Sequence, residues 1–592
     1  MKSRIFTLFI LFTTIITNAQ LPVAGTLDTN FGVEGSVFPP IQPFLYPFNI
    51  AVQQQTGEIV TTGLYAIDKT QAKYVGFIGR YDFYGNPKAD FGTNGILEID
   101  NLSPTFQSVH NVYFESSSPE SPLYVSGNCS IDGKNTYYIS KYSSKGILDT
   151  SYGVNGSIIS LKGQIHGDYI YSLQENPITN HQSFKRYHLA DGTLDQNFNN
   201  GDLPFLISEV TFYSSYEYNI NIQSDGKIIL CGKSGETGII ARYNNTGHID
   251  TSFATNGYYY TDNTEIPGVQ LTKTQSDGKI IFLTNRYSKY IDLSVLGRLN
   301  IDGTLDTTYG TAGYFKHTFP SSGFYLNDLE IQSDNKILMC GQIYTGQGKS
   351  FLFTARISDT GFLDFWRNDF HYQVSENFSL ALIKDSYLFS YGYTFPTGNA
   401  LNVHPVIQKI HLKSPEVSLN GTSLPSETTD LDLISTDGII YSKDNVVLAA
   451  GDIKFRLDHS DACYWGAATT NSFPEGVSNM GGNMITINDS GTYNVSFNIK
   501  TGAYNFINKA TLGTVDQNID SNKFAFYPNP AKEKVTFTQK LKSIRVYTSD
   551  GKLMSSALTN NEINISGFSK GVYYFQAVTE NNSIIGNKFI KD

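Results

Sequence analysis

The chain has 592 residues, of which 43 are Lys or Arg and 54 are Asp or Glu, so its formal net charge is −11. At roughly 150 residues per domain this length predicts about four domains. The acidic balance excludes a typical nucleic-acid binder, because phosphate contacts need clustered positive charge.

The first segment has the features of an export signal. Lys2 and Arg4 precede an apolar run over residues 5–16, and the small-residue sequence that ends at Ala19 follows. This order predicts a secretory signal peptide over residues 1–19, which is too short to span a bilayer. The alternative is a buried N-terminal strand. No later segment reaches 18 apolar residues, so we expect no transmembrane segment after signal cleavage.

A repeated phrase dominates the next 390 or so residues and recurs about every 56 residues. It reads Gly-x-Leu-Asp-x-x-Phe/Tyr-Gly, and its copies include residues 25–32, 146–153 and 303–310. A second phrase, Gln-Ser-Asp-Gly or Gln-Ser-Asp-Asn between two apolar runs, is typical of a hairpin turn. Four short strands per repeat, without a helix, predict a β-propeller over residues 22–412 with seven strand sets.

These two phrases resemble the delta-60 repeat of secreted bacterial proteins. The resemblance implies a propeller fold for residues 22–412. It implies little about activity, because propellers support many unrelated functions.

The repeated polar and aromatic residues allow two interpretations. The aspartates could ligate a metal, but they lack the convergent oxygen ligands of a calcium loop. Bonds to nearby backbone N–H groups in the turn explain them better, and we predict no metal and no cofactor. We expect the recurring rings to be core wedges between blades. The aspartates are Asp28, Asp149, Asp195, Asp250 and Asp306, and the rings are Phe31, Phe91, Tyr152, Phe198, Phe253 and Tyr309.

The four cysteines predict no disulfide. Cys129, Cys231 and Cys340 occupy equivalent strand positions of non-adjacent repeats, and Cys463 follows the repeat region. A disulfide needs Cα atoms within about 7 Å of each other, which non-adjacent blades do not provide.

A different pattern follows the repeats. Residues 413–437 are polar and predict a linker, and alternating strands with glycine turns predict a β-sandwich over residues 438–508. The order Lys-Phe-Arg, Trp-Gly and Gly-x-Tyr-x-Val resembles the sandwich modules of SusE/SusF-type outer-membrane starch-binding proteins. That resemblance implies glycan binding, with Lys454, Arg456, Tyr464 and Trp465 as candidate ligand-binding residues and a polysaccharide as candidate partner. The alternative for Trp465, beside Gly466, is a buried core ring.

The tail contains a polar linker over residues 509–522 and a small sandwich over residues 523–592. Its motifs closely resemble the type A C-terminal sorting domain of the type IX secretion system of Bacteroidetes. The resemblance implies the secretion machinery and its sortase as partners, and a protein that is secreted or held on the outer-membrane surface after passage through the periplasm. The matching residues are Tyr527, Pro528, Asn529, Pro530, Asp550, Gly551, Lys552, Gly571, Val572, Tyr573, Lys588 and Lys591.

The predicted fold class is therefore all-β, a seven-bladed β-propeller followed by two small Ig-like β-sandwich domains. No His-Glu-x-x-His, Gly-x-Ser-x-Gly or Cys-x-x-Cys motif occurs, and we assign no catalytic residue. We expect a non-catalytic surface scaffold or binding protein. The alternative is a polysaccharide-degrading enzyme, a glycoside hydrolase or lyase, with its site in the propeller funnel. Two carboxylates within about 10 Å of each other in one cleft would favour the enzyme. An aliphatic or plugged channel would favour the scaffold.

Overall fold

The fold was obtained as a computed structural model, and all regular elements of its described residues are β-strands, which confirms the all-β prediction. The described residues are 22–40, 45–68, 73–175, 182–199, 203–204, 210–211, 220–234, 237–261, 268–287, 292–315, 323–345, 349–368, 373–383, 386–395, 404–426, 429–436, 438–459, 464–469, 473–509, 526–538, 540–548, 552–555, 561–579 and 584–592. The predicted signal peptide lies outside them.

The repeat region forms 29 strands. They are β1 (Ser36–Val37), β2 (Leu45–Val52), β3 (Ile59–Asp68), β4 (Lys73–Tyr81), β5 (Ile96–Ile99), β6 (Gln107–Phe114), β7 (Leu123–Ile131), β8 (Lys134–Tyr142), β9 (Ser157–Ile159), β10 (Gln164–His166), β11 (Tyr169–Glu175), β12 (Gln182–His188), β13 (Leu203–Pro204), β14 (Val210–Thr211), β15 (Ile220–Ile222), β16 (Ile228–Ser234), β17 (Thr237–Tyr243), β18 (Tyr258–Tyr260), β19 (Leu271–Thr274), β20 (Ile280–Tyr287), β21 (Asp292–Leu299), β22 (Tyr314–Phe315), β23 (Gly323–Ile331), β24 (Ile337–Thr345), β25 (Lys349–Ile357), β26 (Leu363–Asn368), β27 (Gln373–Ile383), β28 (Tyr387–Phe395) and β29 (His404–His411).

These strands pair into antiparallel sheets that follow each other along the chain, as a propeller requires. We number them sheet 1 to sheet 7. They contain β2–β5, β6–β9, β10–β13, β14–β18, β19–β22, β23–β26 and, in the last, β27–β29 together with β1.

The N-terminal strand completes the last sheet. In β1, Ser36 pairs with Gln408 and Val37 pairs with Ile407 of β29. Sheets 1 and 7 are also in contact through side chains, because Asn49 Nδ2 donates to Ser379 Oγ at 3.3 Å. The first strand of the repeat region therefore pairs within its last sheet and joins the two ends of the region, which the sequence did not reveal.

The Gln-Ser-Asp-Gly phrase forms the tight turn that the sequence predicted. Between β15 and β16, Gly226 has a φ of 80° and its N–H donates to the Gln223 carbonyl at 2.9 Å. The Asp225 carboxylate accepts the N–H of Lys227 at 3.1 Å. Glycine permits this positive φ without steric cost, so the turn directs the two strands into a hairpin.

The recurring rings are core wedges, as predicted. The six rings are at most 5% exposed. Phe253 shows the arrangement, since its ring in sheet 4 packs against Gly303 of the following sheet. A Cβ on Gly303 would lie 2.6 Å from Phe253 Cε2, and Gly303 has a φ of 86°. Gly303 therefore provides both the turn and the space into which the neighbouring ring packs.

We expect Gly303→Ala to lower the free energy of unfolding by about 2–4 kcal/mol, because a positive φ and a steric clash each cost free energy. Urea unfolding of the full chain measures the effect. Gly133→Ala is the matched control, since Gly133 also has a positive φ of 72° but no heavy atom lies within 4 Å of its added Cβ. Equal losses in the two variants would show that the ring contact contributes nothing.

Each of several sheets is tied to the next by a buried arginine. Arg298 Nε donates to Asp306 Oδ2 at 2.8 Å, its guanidinium lies 4.5 Å from the Tyr309 ring centroid, and Nη1 donates to the Asp359 carbonyl of sheet 6 at 2.5 Å. Arg186, Arg242 and Arg356 make equivalent inter-sheet bonds to the carbonyls of Asn245, Ile301 and Leu412. The repeat thus joins neighbouring sheets by hydrogen bonds as well as by ring packing.

The middle region begins earlier than predicted. Its strands are β30 (Val417–Asn420), β31 (Leu431–Asp432), β32 (Ile440–Leu448), β33 (Gly451–Leu457), β34 (Tyr464–Ala467), β35 (Glu475–Met480), β36 (Ile485–Ile487), β37 (Gly491–Asn498) and β38 (Ala503–Asn508). They pair in the order β31-β30-β33-β34-β35-β38-β37-β32, and β36 also pairs with β33. The segment 413–437, predicted as a linker, thus supplies two strands, because the buried Val417 and Leu419 complete the sheet beside β33.

The middle strands surround an aromatic core that continues into the repeat region. Phe455 stacks on Phe497 with centroids 4.5 Å apart. Phe83 of the repeat region packs edge-on against Trp465 at 5.9 Å. Residues up to 507 accordingly form one compact unit.

The tail from residue 508 forms a separate unit. Its strands are β39 (Phe526–Tyr527), β40 (Lys534–Phe537), β41 (Leu541–Thr548), β42 (Leu553–Ser555), β43 (Glu562–Asn564), β44 (Gly571–Thr579) and β45 (Ile584–Lys591). They form two sheets, β39-β40-β43 and β42-β41-β44-β45. Val535 and Ile563 of the first sheet share one buried core with Val546 and Phe575 of the second.

Candidate functional site

One strand of each of the seven sheets lines a common cavity of about 270 Å³, and these strands are β2, β6, β10, β15, β19, β23 and β27. In a propeller the innermost strand of each sheet borders the central channel, so this cavity lies in the channel. Its described lining residues are Asn49, Ile50, Asn111, Tyr113, Gln164, His166, Ile220, Asn221, Ile222, Leu271, Thr272, Lys273, Asp328, Glu330, Ser379 and Leu380.

β-Bulges place several polar side chains on this lining. The strand register shifts just before Asn49, Asn111, Asp328 and Ser379, each on the first strand of its sheet. A bulge inserts one residue and redirects the next side chain. The same irregularity in four sheets therefore turns an amide, a carboxylate or a hydroxyl toward a common space.

The charged groups of the cavity come from neighbouring sheets. Lys273 Nζ of sheet 5 lies 3.0 Å from Glu330 Oε1 of sheet 6, and both side chains are 30% exposed. Burial alone would lower the pKa of Lys273, but the negative charges of Glu330 and Asp328 outweigh it and raise that pKa. Lys273 is therefore a cation at neutral pH.

Asp328 is the deeper of the two carboxylates, at 4% exposed. Its oxygens accept the N–H groups of Leu329 at 2.8 Å and of Leu380 at 2.9 Å. Burial and the charge of Glu330 raise the pKa of Asp328 to about 6, against the lowering effect of Lys273 and these hydrogen bonds. The carboxylate is thus fixed in place by the backbone of two sheets.

Neutral polar groups complete the lining. Asn221 Nδ2 donates to Thr274 Oγ1 at 2.9 Å, and the Asn49–Ser379 hydrogen bond crosses from sheet 1 to sheet 7. The cavity therefore offers amides, a hydroxyl and both signs of charge, in place of the aliphatic or plugged channel that would indicate a pure scaffold.

Sequence reasoning named none of these cavity residues, although a signal was present. Asn221, Lys273 and Glu330 each stand two residues before the glutamine of the Gln-Ser-Asp phrase. They occupy one repeat position, where an amide, an ammonium and a carboxylate interrupt apolar strands. Alignment of the repeats on the turn phrase would have revealed this polar position.

The repeated aspartates have the predicted turn contacts. Asp195 Oδ1, for example, accepts the N–H of Asn197 at 3.0 Å, and Asp250 Oδ1 accepts the N–H of Ser252 at 3.2 Å. Their second oxygens accept from Arg186 and Arg242, a role that the sequence analysis missed. No group of three or more potential metal-ligating side chains occurs within the described ranges.

Three of the four candidate glycan residues of the middle region share one face of their sheet, and Trp465 lies on the opposite face. Lys454 Nζ lies 4.8 Å from the centroid of the half-buried Tyr464 ring, and Arg456 Nη1 binds Asp430 Oδ1 at 3.0 Å. Trp465 is 0% exposed and donates from Nε1 to the Tyr84 hydroxyl at 3.3 Å. Trp465 therefore cannot stack on a sugar, because its ring packs in the core, which is the alternative that the sequence left open.

We expect Trp465→Ala to cost about 3–5 kcal/mol of stability, since it removes a large buried ring. Tyr464→Ala is the control from the adjacent position, and we expect a loss below about 1 kcal/mol there. Urea unfolding of the full chain measures both. A fully stable Trp465→Ala protein would contradict the core role.

The sorting motifs converge on the last strand. Asn529 Oδ1 accepts the N–H of Ile590 at 2.8 Å, and Gly571 pairs with Lys591 across β44 and β45. Tyr573 is buried and stacks on Phe589. The described residues also include the predicted positions Tyr527, Pro528, Pro530, Lys552, Val572 and Lys588, whereas Asp550 and Gly551 lie outside them.

The cysteines are distributed as the repeat predicted. Cys129 lies in β7, Cys231 in β16 and Cys340 in β24, so each belongs to a different sheet and all three are buried. Cys463 lies outside the described residues.

Sheet architecture and tail together define a β-propeller protein with a C-terminal sorting domain. Residues 525–592 match the family described as secretion system C-terminal sorting domain, and residues 223–253 match a beta-propeller domain of unknown function, DUF5122. The sorting domain marks the protein for export by type IX secretion to the cell surface or the medium. No described segment forms a helix with the length and apolar character of a membrane span.

Several solved structures are similar at low identity. A protein of unknown function from Dyadobacter fermentans is 9% identical with a TM-score of 0.34, covering 64% of this chain and 98% of that one. The beta-propeller domain of the Trilobed protease from Pyrococcus furiosus is 10% identical, with a TM-score of 0.34 and coverages of 63% and 97%. Polysaccharide lyase Uly1 is 12% identical, with a TM-score of 0.31 and coverages of 67% and 98%. No curated protein matches the sequence.

Proposed function

We propose that this exported protein is a non-catalytic binding protein that holds a saccharide in the channel cavity of its propeller. The observation that carries the proposal is the polar lining, to which four separate sheets contribute Asn49, Asn111, Asn221 and Ser379. Saccharide hydroxyl groups both donate and accept hydrogen bonds, so they suit amide and hydroxyl side chains.

The size of the cavity limits the ligand. Drug-sized ligands occupy sites of roughly 300–1,000 Å³, so a cavity of about 270 Å³ fits one or two sugar rings. Tyr113 supplies an aromatic ring on the same lining, against which the apolar face of a sugar can pack. A longer polysaccharide would insert one end.

Calorimetric titration of the mature chain with neutral oligosaccharides tests the proposal. We expect Asn111→Ala and Asn221→Ala each to weaken binding about fivefold to tenfold, the equivalent of one or more lost hydrogen bonds. Tyr464→Ala, on the middle region, is the control and should bind like the unaltered protein. Loss of binding only in Tyr464→Ala would move the site to the middle region, and absence of any saccharide binding would reject the proposal.

The middle region is a second candidate contact for a polysaccharide. The proposal for this region rests on its resemblance to SusE/SusF-type modules and on the half-buried Lys454, Arg456 and Tyr464, without Trp465. Retention of the Tyr464→Ala variant on polysaccharide affinity gels tests this contact separately.

A polysaccharide-degrading enzyme is the second candidate function, favoured by one observation. Asp328 and Glu330 line the same cavity two residues apart on β23, so their Cα atoms are about 7 Å apart. Their bonds to backbone N–H groups and to Lys273 favour a binding role over a catalytic one. Depolymerisation assays with Asp328→Asn and Glu330→Gln decide between the functions, since an enzyme would lose its activity in both variants.

For the tail we propose that a sortase of the secretion system removes the sorting domain and then releases the protein or attaches it to the surface. The support is the match of residues 525–592. Mass spectrometry of the exported protein would find a C-terminus before residue 526 if this holds, and an intact C-terminus would reject it.

A further inference from the structure

The channel cavity contains more carboxylates than ammonium or guanidinium groups in its described lining. We infer that the cavity prefers a saccharide carrying an ammonium group, as in glucosamine, over neutral and anionic saccharides. The inference rests on the proposed saccharide binding and adds the chemical class of the ligand.

The charged groups of the lining do not balance. Asp328 and Glu330 are the carboxylates of the described lining, and Lys273 is its one lysine or arginine. Glu330 shares its Oε1 atom with Lys273 at 3.0 Å, so above the Asp328 pKa of about 6 the ionised Asp328 carboxylate leaves one negative charge in excess. His166 and Tyr113, the other titratable groups of the described lining, contribute no carboxylate.

The two carboxylates are held in place before any ligand arrives. Asp328 is anchored to the N–H groups of Leu329 and Leu380, and Glu330 is anchored by the ammonium group of the neighbouring sheet. Fixed acceptors lose little conformational entropy when a ligand binds. A positive group that enters the cavity therefore meets oriented negative charge in a partly desolvated space, where Coulomb attraction is stronger than in water.

The same charges reject other ligands. An acetylated amino sugar lacks the positive charge and would gain only hydrogen bonds. A uronic acid carries a carboxylate that would meet Asp328 and Glu330, and like charges disfavour each other at this range. The lining thus orders ligands as cationic, neutral and anionic.

Calorimetric titration of the mature full chain with tetramers of glucosamine, N-acetylglucosamine and galacturonic acid tests this order. We expect the glucosamine tetramer to bind about tenfold more tightly than the N-acetylated tetramer, since charged hydrogen bonds are the stronger ones. Binding of the galacturonate tetramer should be weaker than either.

Two variants with opposite expected effects on glucosamine binding make the test specific. Glu330→Gln should weaken glucosamine binding about tenfold and weaken binding of the N-acetylated tetramer by a smaller factor. Lys273→Met should strengthen glucosamine binding, a gain that partial unfolding cannot mimic. Circular dichroism and thermal unfolding establish that both variants are folded.

The outcomes separate the two proposals. Equal binding of the cationic and neutral tetramers, or an equal loss of both in Glu330→Gln, overturns the charge preference and leaves saccharide binding standing. Binding of galacturonate alone overturns it as well. If no saccharide binds, both the proposed function and this inference are rejected.

Discussion

Deletion of residues 523–592 is expected to abolish export, so that the truncated protein accumulates in the periplasm and disappears from the cell surface and the medium. The physical reason is that these residues form a unit with its own two-sheet core, separate from the unit that ends at residue 507. Loss of the tail therefore removes the sorting domain and leaves the propeller folded. Cell fractionation followed by immunoblotting measures the distribution.

A cavity variant is the matched control for the deletion. Asn111→Ala changes a buried residue of the propeller and leaves the tail intact, so it should be exported normally. Asn529→Ala tests the geometry more finely, because it removes the side chain that accepts the N–H of Ile590 in the last strand. Normal export of the truncated protein would show that the sorting signal lies elsewhere.

Replacement of the inter-sheet arginine, Arg298→Met, is expected to lower the free energy of unfolding by about 3–5 kcal/mol. The change leaves the Asp306 carboxylate buried without its guanidinium and breaks the bond to the Asp359 carbonyl of the next sheet. Burial alone would raise the pKa of Asp306, but hydrogen bonds from Thr308 and Lys279 and the charge of Arg298 hold that pKa well below its usual value. Urea unfolding of the full chain measures the loss.

A second cation bound to the Asp306 carboxylate provides the control. Lys279 Nζ also binds Asp306, at 3.0 Å, but its side chain is 31% exposed against 7% for Arg298. Lys279→Met should therefore cost less than about 1 kcal/mol. The double variant Arg298→Met with Asp306→Asn should lose less than the sum of the single losses, since no buried charge is left without a partner. Similar losses for the lysine and arginine variants would contradict the buried clamp.

The repeat phrase made the propeller predictable because each part of it has a local physical role. Gly303 needs a positive φ, Asp306 bonds the turn backbone, and Tyr309 fills the space between sheets. Such roles depend on residues close in sequence, so one copy of the phrase predicts the geometry of the next. The tail was predictable for the same reason, and its family match confirms it.

Features that depend on distant segments were not predictable. Strand β1 pairs with β29 more than 360 residues later, and nothing in the short run Ser36–Val37 indicates that partner. Trp465 was a candidate for stacking on a sugar because the sequence does not show the contacts that bury it. Those contacts come from Phe83 and Tyr84 of the repeat region. The strands Val417–Asn420 and Leu431–Asp432 lie in a segment whose polar composition predicted a linker.

The cavity was missed because its polar residues come from different sheets. Lys273 and Glu330 are 57 residues apart in the chain and meet only when sheets 5 and 6 pack side by side. The bulges before Asn49 and Asp328 are also invisible without strand pairing, since each depends on the register of the neighbouring strand. The repeats therefore predict the propeller scaffold from the sequence. The cavity residues can be identified only in the folded structure.

A crystal structure of the mature protein with a bound oligosaccharide would locate the saccharide directly. We expect electron density for a sugar ring among Asn111, Asn221 and Glu330 in the channel of the propeller. Density for the sugar on the face of Lys454 and Tyr464, with the channel cavity free of it, would contradict saccharide binding in the channel.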